Sequence, residues 1–239
     1  MYSFDSTVRY SECNTDLTLS IPSIINYFQD CSTFHTESLG HGIAYCAERH
    51  FAWFVAAWQI QIDRIPRFTE PIRVSTWSSM QSATMAHRYF TLKTKDEEDL
   101  IRADSLWFAF DTQRGRAMRI PEFEHVYFSE EEPVDLPPTQ RKIKLAGEGT
   151  PLDPIVVAQQ HLDTNNHVNN GQYIAMADYA VRERDKDFIP WRLSAQYKKA
   201  AKLGNTIVPR LHVEEGGYAV DLTDGGAESF AIVRMVGRP

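Results

Sequence analysis

Between residues 21 and 39 the apolar positions Ile24, Ile25, Phe28 and Cys31 recur at helical spacing, which predicts one long helix. A short strand over 6–10 precedes it, separated by a polar loop. Downstream the period changes. The runs 52–63, 71–80, 87–95 and 102–111 are rich in β-branched and aromatic residues. Trp58, Ile60 and Ile62 alternate with polar neighbours, as a half-buried antiparallel sheet requires. The stretch SEEEPVDLPPTQRKIKLAGEGT (129–150) has charge, Pro and Gly in place of a period, and it predicts a linker. Beyond it the order repeats, with a strand at 155–158, a polar loop, a helix over 168–185, and strands at 192–199, 206–214, 218–223 and 229–236. The pattern predicts two tandem units, 1–128 and 151–239, joined by 129–150.

A gapless overlay that sets Tyr27 on Tyr173 and Thr18 on Thr164 matches the order of elements in the two halves and supports an internal duplication. In that overlay Asp163, Asn165 and His167 fall on Leu17, Leu19 and Ile21, while Asn169 and Asn170 fall on Ser23 and Ile24. The second half therefore carries HLDTNNHVNNGQYI, dense in short polar side chains, where the first is largely apolar. One helix cap explains one Asp or Asn. A requirement of the turn itself would show in both halves, so the contrast points to chemistry.

Composition narrows the classes. A net charge of −7 argues against nonspecific binding to nucleic acid or anionic membrane surfaces. No apolar run is long enough to span a bilayer, and the first residues lack the pattern of a signal peptide. Three cysteines, Cys13, Cys31 and Cys46, without CxxC spacing, fit reduced thiols in a cytoplasmic protein and make structural zinc improbable.

One helix across a curved antiparallel sheet, twice over, is an α+β architecture of two tandem hotdog domains. The loop before the second helix would sit at a helix N-terminus, whose backbone donors and dipole favour a developing oxyanion. His167 brings an imidazole, a group suited to activate water. Asn165 offers an amide donor for a carbonyl oxygen, and Asp163 is placed to orient the imidazole or the water. This set suits hydrolysis of an ester or thioester with no cofactor and no metal.

HLDTNNHVNNGQYI resembles the DLDxNxHVNNxxYI signature of the acyl-ACP thioesterase family. SIPSIINYFQDCS, WQIQIDRIPRFTEPIRVSTW, RADSLWFAFDTQRGRAMRIP and QYKKAAKLGN are similar to other blocks of that family in the same order. The resemblance implies hydrolysis of fatty acyl thioesters on acyl carrier protein, which ends chain elongation. It implies an N-terminal hotdog that takes the acyl chain and a C-terminal hotdog that carries the catalytic Asp163, Asn165 and His167. The partner implied is acyl-loaded carrier protein, with a homodimer admitted and neither nucleic acid nor membrane involved. A hotdog acyl-CoA thioesterase, a hydratase, or a non-catalytic binder of acyl chains or carrier protein are the alternatives.

The chain departs from the family after Tyr197-Lys198-Lys199. Plant members carry Glu-Cys there and some bacterial relatives Gln at the Glu position; here stand Ala200 and Ala201. Either His167 and Asp163 suffice, or another group such as Gln196 orients the water, although a solvated strand residue is the commoner reading of Gln196. The aromatics Phe28, Phe34, Phe51, Trp53, Phe54 and Trp58 are expected mostly in the core, a fraction of them lining an acyl channel. Arg114, Arg116 and Arg119, and Lys198, Lys199 and Lys202, are local basic clusters. Solvated surface is their usual meaning, and steering of an acidic carrier is the alternative.

Overall fold

Ser20 starts the first helix, α1 (Ile21–Ser38), by taking the Ser23 N–H on its side chain, and Pro22 in the first turn gives up a donor that has no intrahelical partner there. Gly40 ends the helix at φ +72°. Its N–H reaches the Glu37 carbonyl and the His41 N–H the Thr36 carbonyl, the paired bonds of a Schellman motif. One stripe of α1 is buried, from Ile21, Ile24 and Ile25 through Phe28 to Cys31. In the computed structural model, which describes residues 1–80 and 82–238, this stripe faces an antiparallel sheet.

Two compact units emerge, Met1–Thr139 and Gln140–Pro239. The first contains β1 (Tyr2–Thr7), α1, α2 (Ile43–Glu48), β2 (Phe51–Ile62), β3 (Pro71–Met80), β4 (Met85–Thr94), β5 (Asp99–Asp111) and β6 (Arg116–Ala117). Its strands lie in the order β1-β3-β4-β5-β2, with β6 paired to β5. Register is set by pairs such as Phe4–Val74, Thr76–Phe90, Phe90–Ala103 and Trp58–Ser105. Under α1, Phe28 stacks on Phe90 at 4.9 Å and on Trp58 at 6.1 Å. Phe51 joins a second cluster with Ala86, Ala109 and Ile120, against which half-buried Trp53 packs. Of the six aromatics expected in the core, Phe28, Phe51 and Trp58 are buried, Trp53 and Phe54 are half-buried, and Phe34 is exposed.

The second unit contains β7 (Thr150–Pro151), β8 (Ile155–Val156), α3 (Asn170–Arg184), β9 (Arg192–Tyr197), β10 (Thr206–Glu214), β11 (Gly217–Thr223) and β12 (Ser229–Val236). Its sheet runs β9-β12-β11-β10, with β7 and β8 both on β10. With β7 and β8 standing for β1, this is the strand order of the first unit. Each unit is a helix laid on an antiparallel sheet, the hotdog arrangement, in an α+β protein.

The stretch 129–150 falls across the division and is tied down on both sides of it. Its first part hydrogen-bonds to the first unit: the Ser129 N–H donates to the Ser78 carbonyl, Trp77 Nε1 to the Glu132 carbonyl, and the Thr139 N–H to Asp104 Oδ2. Val134 packs on Trp77 and Tyr89. The later part belongs to the second unit, where the Ile143 N–H donates to Gln196 Oε1 at 2.9 Å and Arg234 Nη2 to the Lys144 carbonyl.

Candidate active site

The motif loop lies between a short 3-10 turn, Gln159–His161, and α3. An isolated bridge between Leu162 and Val168 closes its neck. Inside it the Asp163 N–H donates to the His167 carbonyl (2.8 Å) and the Asn166 N–H to the Asp163 carbonyl (3.1 Å). Asn166 takes φ +58°, a conformation that Asn tolerates better than most residues because its short amide bonds locally. Asp163 Oδ1 accepts the backbone N–H groups of Asn165 (2.8 Å) and His167 (3.2 Å). That oxygen therefore holds the loop itself, where the sequence suggested an aspartate aimed at the imidazole or at water. Asn165 is exposed and His167 half-buried.

Asn169 caps α3. Its side chain accepts the Gly171 N–H at 2.8 Å and its carbonyl the Gln172 N–H at 2.9 Å. Two first-turn donors are thus committed, so the helix end offers less to an oxyanion than the sequence predicted. The amide of Asn165 gains weight accordingly.

The loop after β9 fastens the site from the side. The Ala201 carbonyl accepts the Val168 N–H at 2.9 Å, and the Ala201 N–H donates to the Tyr173 hydroxyl at 2.8 Å. Burial pushes the Tyr173 phenol up to about 12. Tyr197, on β9, donates its hydroxyl to the Asn170 carbonyl at 3.1 Å. Neither tyrosine was singled out from the sequence. The signal was present, since a buried phenol almost always has a partner. Ala200 is exposed beside this brace, and Gln196 is half-buried with its Oε1 accepting the Ile143 N–H.

The first unit has the same loop. Asn14, Leu17 and Leu19 there make the bonds that Asp163, Asn166 and Val168 make in the second: Asn14 N–H to the Thr18 carbonyl, Leu17 N–H to the Asn14 carbonyl, Leu19 N–H to the Pro66 carbonyl. Leu17 takes φ +64°, and a Cys13–Leu19 bridge closes the neck. Even the preceding turns agree: the Arg9 N–H is received by the Glu12 side chain, and the Ala158 N–H by His161 Nδ1. The gapless overlay is therefore three positions out of register. Asp163, Asn165 and His167 stand on Asn14, Asp16 and Thr18, not on Leu17, Leu19 and Ile21. Both loops are polar, because this turn needs side chains that bond its backbone; in the first unit Asp16 Oδ1 takes the Thr18 N–H and hydroxyl. The contrast between halves survives in a narrower form, Asn165 and His167 against Asp16 and Thr18.

The predicted basic clusters are exposed. Arg114, Arg116 and Arg119 are exposed at the β5–β6 hairpin, with Arg114 near Asp111. Lys199 pairs with Glu228, and Lys198 donates to Ser229. A cleft of about 230 Å³ between Leu152, Ile155, Tyr179 and Glu183 contains none of the motif residues. Among the described residues no three His, Cys, Asp or Glu gather as a metal site, and no helix is long and apolar enough to cross a membrane.

Comparison with known proteins extends the likeness to both halves. Residues 1–126 match the model of the acyl-ACP thioesterase N-terminal domain, and 151–230 that of the C-terminal domain. A palmitoyl-acyl carrier protein thioesterase, chloroplastic, from Gossypium hirsutum is 27% identical over 187 residues, covering 73% of this chain and 45% of its own length. An acyl-[acyl-carrier-protein] hydrolase, chloroplastic, from Cuphea viscosissima is 29% identical over 181 residues, covering 71% and 44%. The chain spans less than half the length of these curated relatives. Among solved structures, an acyl-ACP thioesterase from Bacteroides thetaiotaomicron superposes with a TM-score of 0.86 at 20% identity, over 99% of this chain and 97% of that one. The 12:0-ACP thioesterase from Umbellularia californica gives 0.85 at 21%, over 100% and 97%. With both of its units matched in order by the two domain models, this chain belongs to the acyl-ACP thioesterase family.

Proposed function

We propose that the protein hydrolyses fatty acyl thioesters of acyl carrier protein to free fatty acid and carrier thiol, with the chemistry at the loop Asp163–His167. The observation that carries this reading is the pair of equivalent loops, alike in their backbone hydrogen bonds, of which one alone presents an imidazole, His167, with the amide of Asn165 two residues before it where the other loop has Asp16. His167 acts as general base and takes a proton from water as the water oxygen bonds to the thioester carbonyl carbon. Asn165 donates to the oxygen on which negative charge develops. Collapse of the tetrahedral intermediate breaks the C–S bond, and the proton held by His167 goes to the departing sulfur. Asp163 serves through its backbone bonds, fixing where Asn165 and His167 stand.

The family membership supports acyl-loaded carrier protein as substrate. Among the described residues Cys13, Cys31 and Cys46 are free thiols, which suits a reducing compartment such as the cytoplasm, while the curated relatives are named as chloroplastic. Burial pushes Cys31 up to about 12 and Cys46 up to about 11, so neither is a thiolate nucleophile at neutral pH. One observation favours a second reading, a non-catalytic binder: Ala200 offers no carboxylate where plant members carry one. Purified protein incubated with a chain-length panel of acyl-ACP, with and without chelator, separates the two. Free fatty acid released equally in both conditions is expected. Tight carrier binding without release would support the binder.

A further inference from the structure

Ala201 is fully buried and uses both of its backbone groups on the motif segment. Its carbonyl receives the N–H of Val168, the residue after His167, and its N–H is received by Tyr173 on the first turns of α3. The first unit provides an internal control. Pro66 there takes the place of Ala201 and receives the Leu19 N–H at 2.9 Å, but proline has no N–H to give. Counting from the helix caps Ser20 and Asn169, Ile24 takes the place of Tyr173. The carbonyl half of the brace exists in both units and the hydroxyl half in one. The first unit keeps the carbonyl bond of its loop with no phenol at this place, where Ile24 and Pro66 are both buried.

We propose that Tyr173 is a positioning residue for hydrolysis, which fixes Ala201 and through it the Val168 end of the loop that carries His167. The proposal rests on the reading of His167 as the base. A Tyr173 hydroxyl bond to a buried backbone donor removes the slack with which the loop after β9 meets the motif. Misplacement on the scale of an ångström is costly to a base that must meet a water and a carbonyl together. Tyr197 donates its own hydroxyl to the Asn170 carbonyl, so one phenol fastens the loop after β9 and another the first residue of the helix.

The test uses the whole chain and a palmitoyl-acyl carrier protein substrate, with Tyr173→Phe, Ala201→Pro, the double variant and His167→Ala. Tyr173→Phe should lower kcat about tenfold with KM changed by less than about twofold, because the ring's packing stays and only the alignment goes. The double variant should be no slower than the slower single variant, since both remove one bond. Amide hydrogen exchange at Ala201 should rise in Tyr173→Phe, a readout that holds even if Ala201→Pro does not fold. A lower melting temperature with kcat unchanged, or losses that multiply in the double variant, would overturn the proposal. A dead His167→Ala beside a Tyr173→Phe with wild-type kcat overturns it alone, whereas wild-type turnover by His167→Ala overturns the base assignment.

Discussion

Asp163 commits one carboxylate oxygen to two backbone N–H groups, and that bond set predicts how its substitutions differ. Asn keeps an acceptor at the same place; Ala keeps nothing. Asp163→Ala should cost about 1–2 kcal/mol, comparable to losing a helix cap, and Asp163→Asn clearly less. Urea unfolding of the two variants checks the order, and equal losses would mean the backbone bonds are not what Asp163 contributes. A second residue-scale prediction concerns His35 on α1. Buried Arg88 donates from Nη1 to His35 Nδ1 at 3.1 Å, a bond the neutral imidazole alone can receive. Burial, helped by the Arg88 charge, pushes His35 down to about 4 from 6.5. The unfolded chain therefore takes up this proton at higher pH than the folded one. Stability from this group is present above about pH 6.5, declines as pH falls from there, and is gone below about 4. His35→Gln should flatten that part of the stability curve in denaturant titrations at stepped pH. An unchanged slope would show that His35 does not titrate in this way.

Elements were legible wherever the period was long. α1 and the strands β2, β3 and β10 lie within a residue of the spans their alternation predicts, because burying one face of a sheet or helix leaves a pattern in the chain. The opening strand was misplaced. Ser6–Tyr10 was expected, whereas β1 is Tyr2–Thr7, since Val8 already leaves the β3 ladder and bonds the Glu70 carbonyl. The helix α2 was not foreseen; six residues are too few for periodicity to register, and tertiary contacts hold it on β2. The motif loops were the least legible, because their shape is set by side-chain bonds to the backbone and by one residue at positive φ. Leu17 occupies that position in the first unit and Asn166 in the second. A leucine there carries a steric penalty of about 1–2 kcal/mol that asparagine partly avoids. Leu17 is already 42% exposed, so the relief of its backbone should outweigh the partial burial it surrenders, and Leu17→Asn should raise stability by up to about 1 kcal/mol. Thermal and urea unfolding would show it, and a loss of stability would mean that Leu17's packing outweighs its backbone cost.

Across the whole molecule, the duplication was visible in the order of elements and its register was not. Sliding one half over the other rewarded the chance match of Tyr27 with Tyr173. The hydrogen bonds instead align Asn14 with Asp163 and both helix caps with each other, three positions away. The candidate residues Asn165 and His167 were found for a reason that the register revises, namely polar against apolar. What separates the loops is the kind of polar group: Thr18 has no imidazole to accept a proton, and Asp16 no amide to donate. The proposed mechanism places hydrolysis at the second loop through His167. Its most direct measurement is steady-state hydrolysis of one acyl-ACP substrate by wild type, His167→Ala and Thr18→Ala, each shown folded by its melting curve. A fall of about 10²–10⁴-fold is expected for His167→Ala, the usual contribution of a general base, and a near wild-type rate for Thr18→Ala. Equal losses in the two folded variants, or full activity without His167, would contradict it.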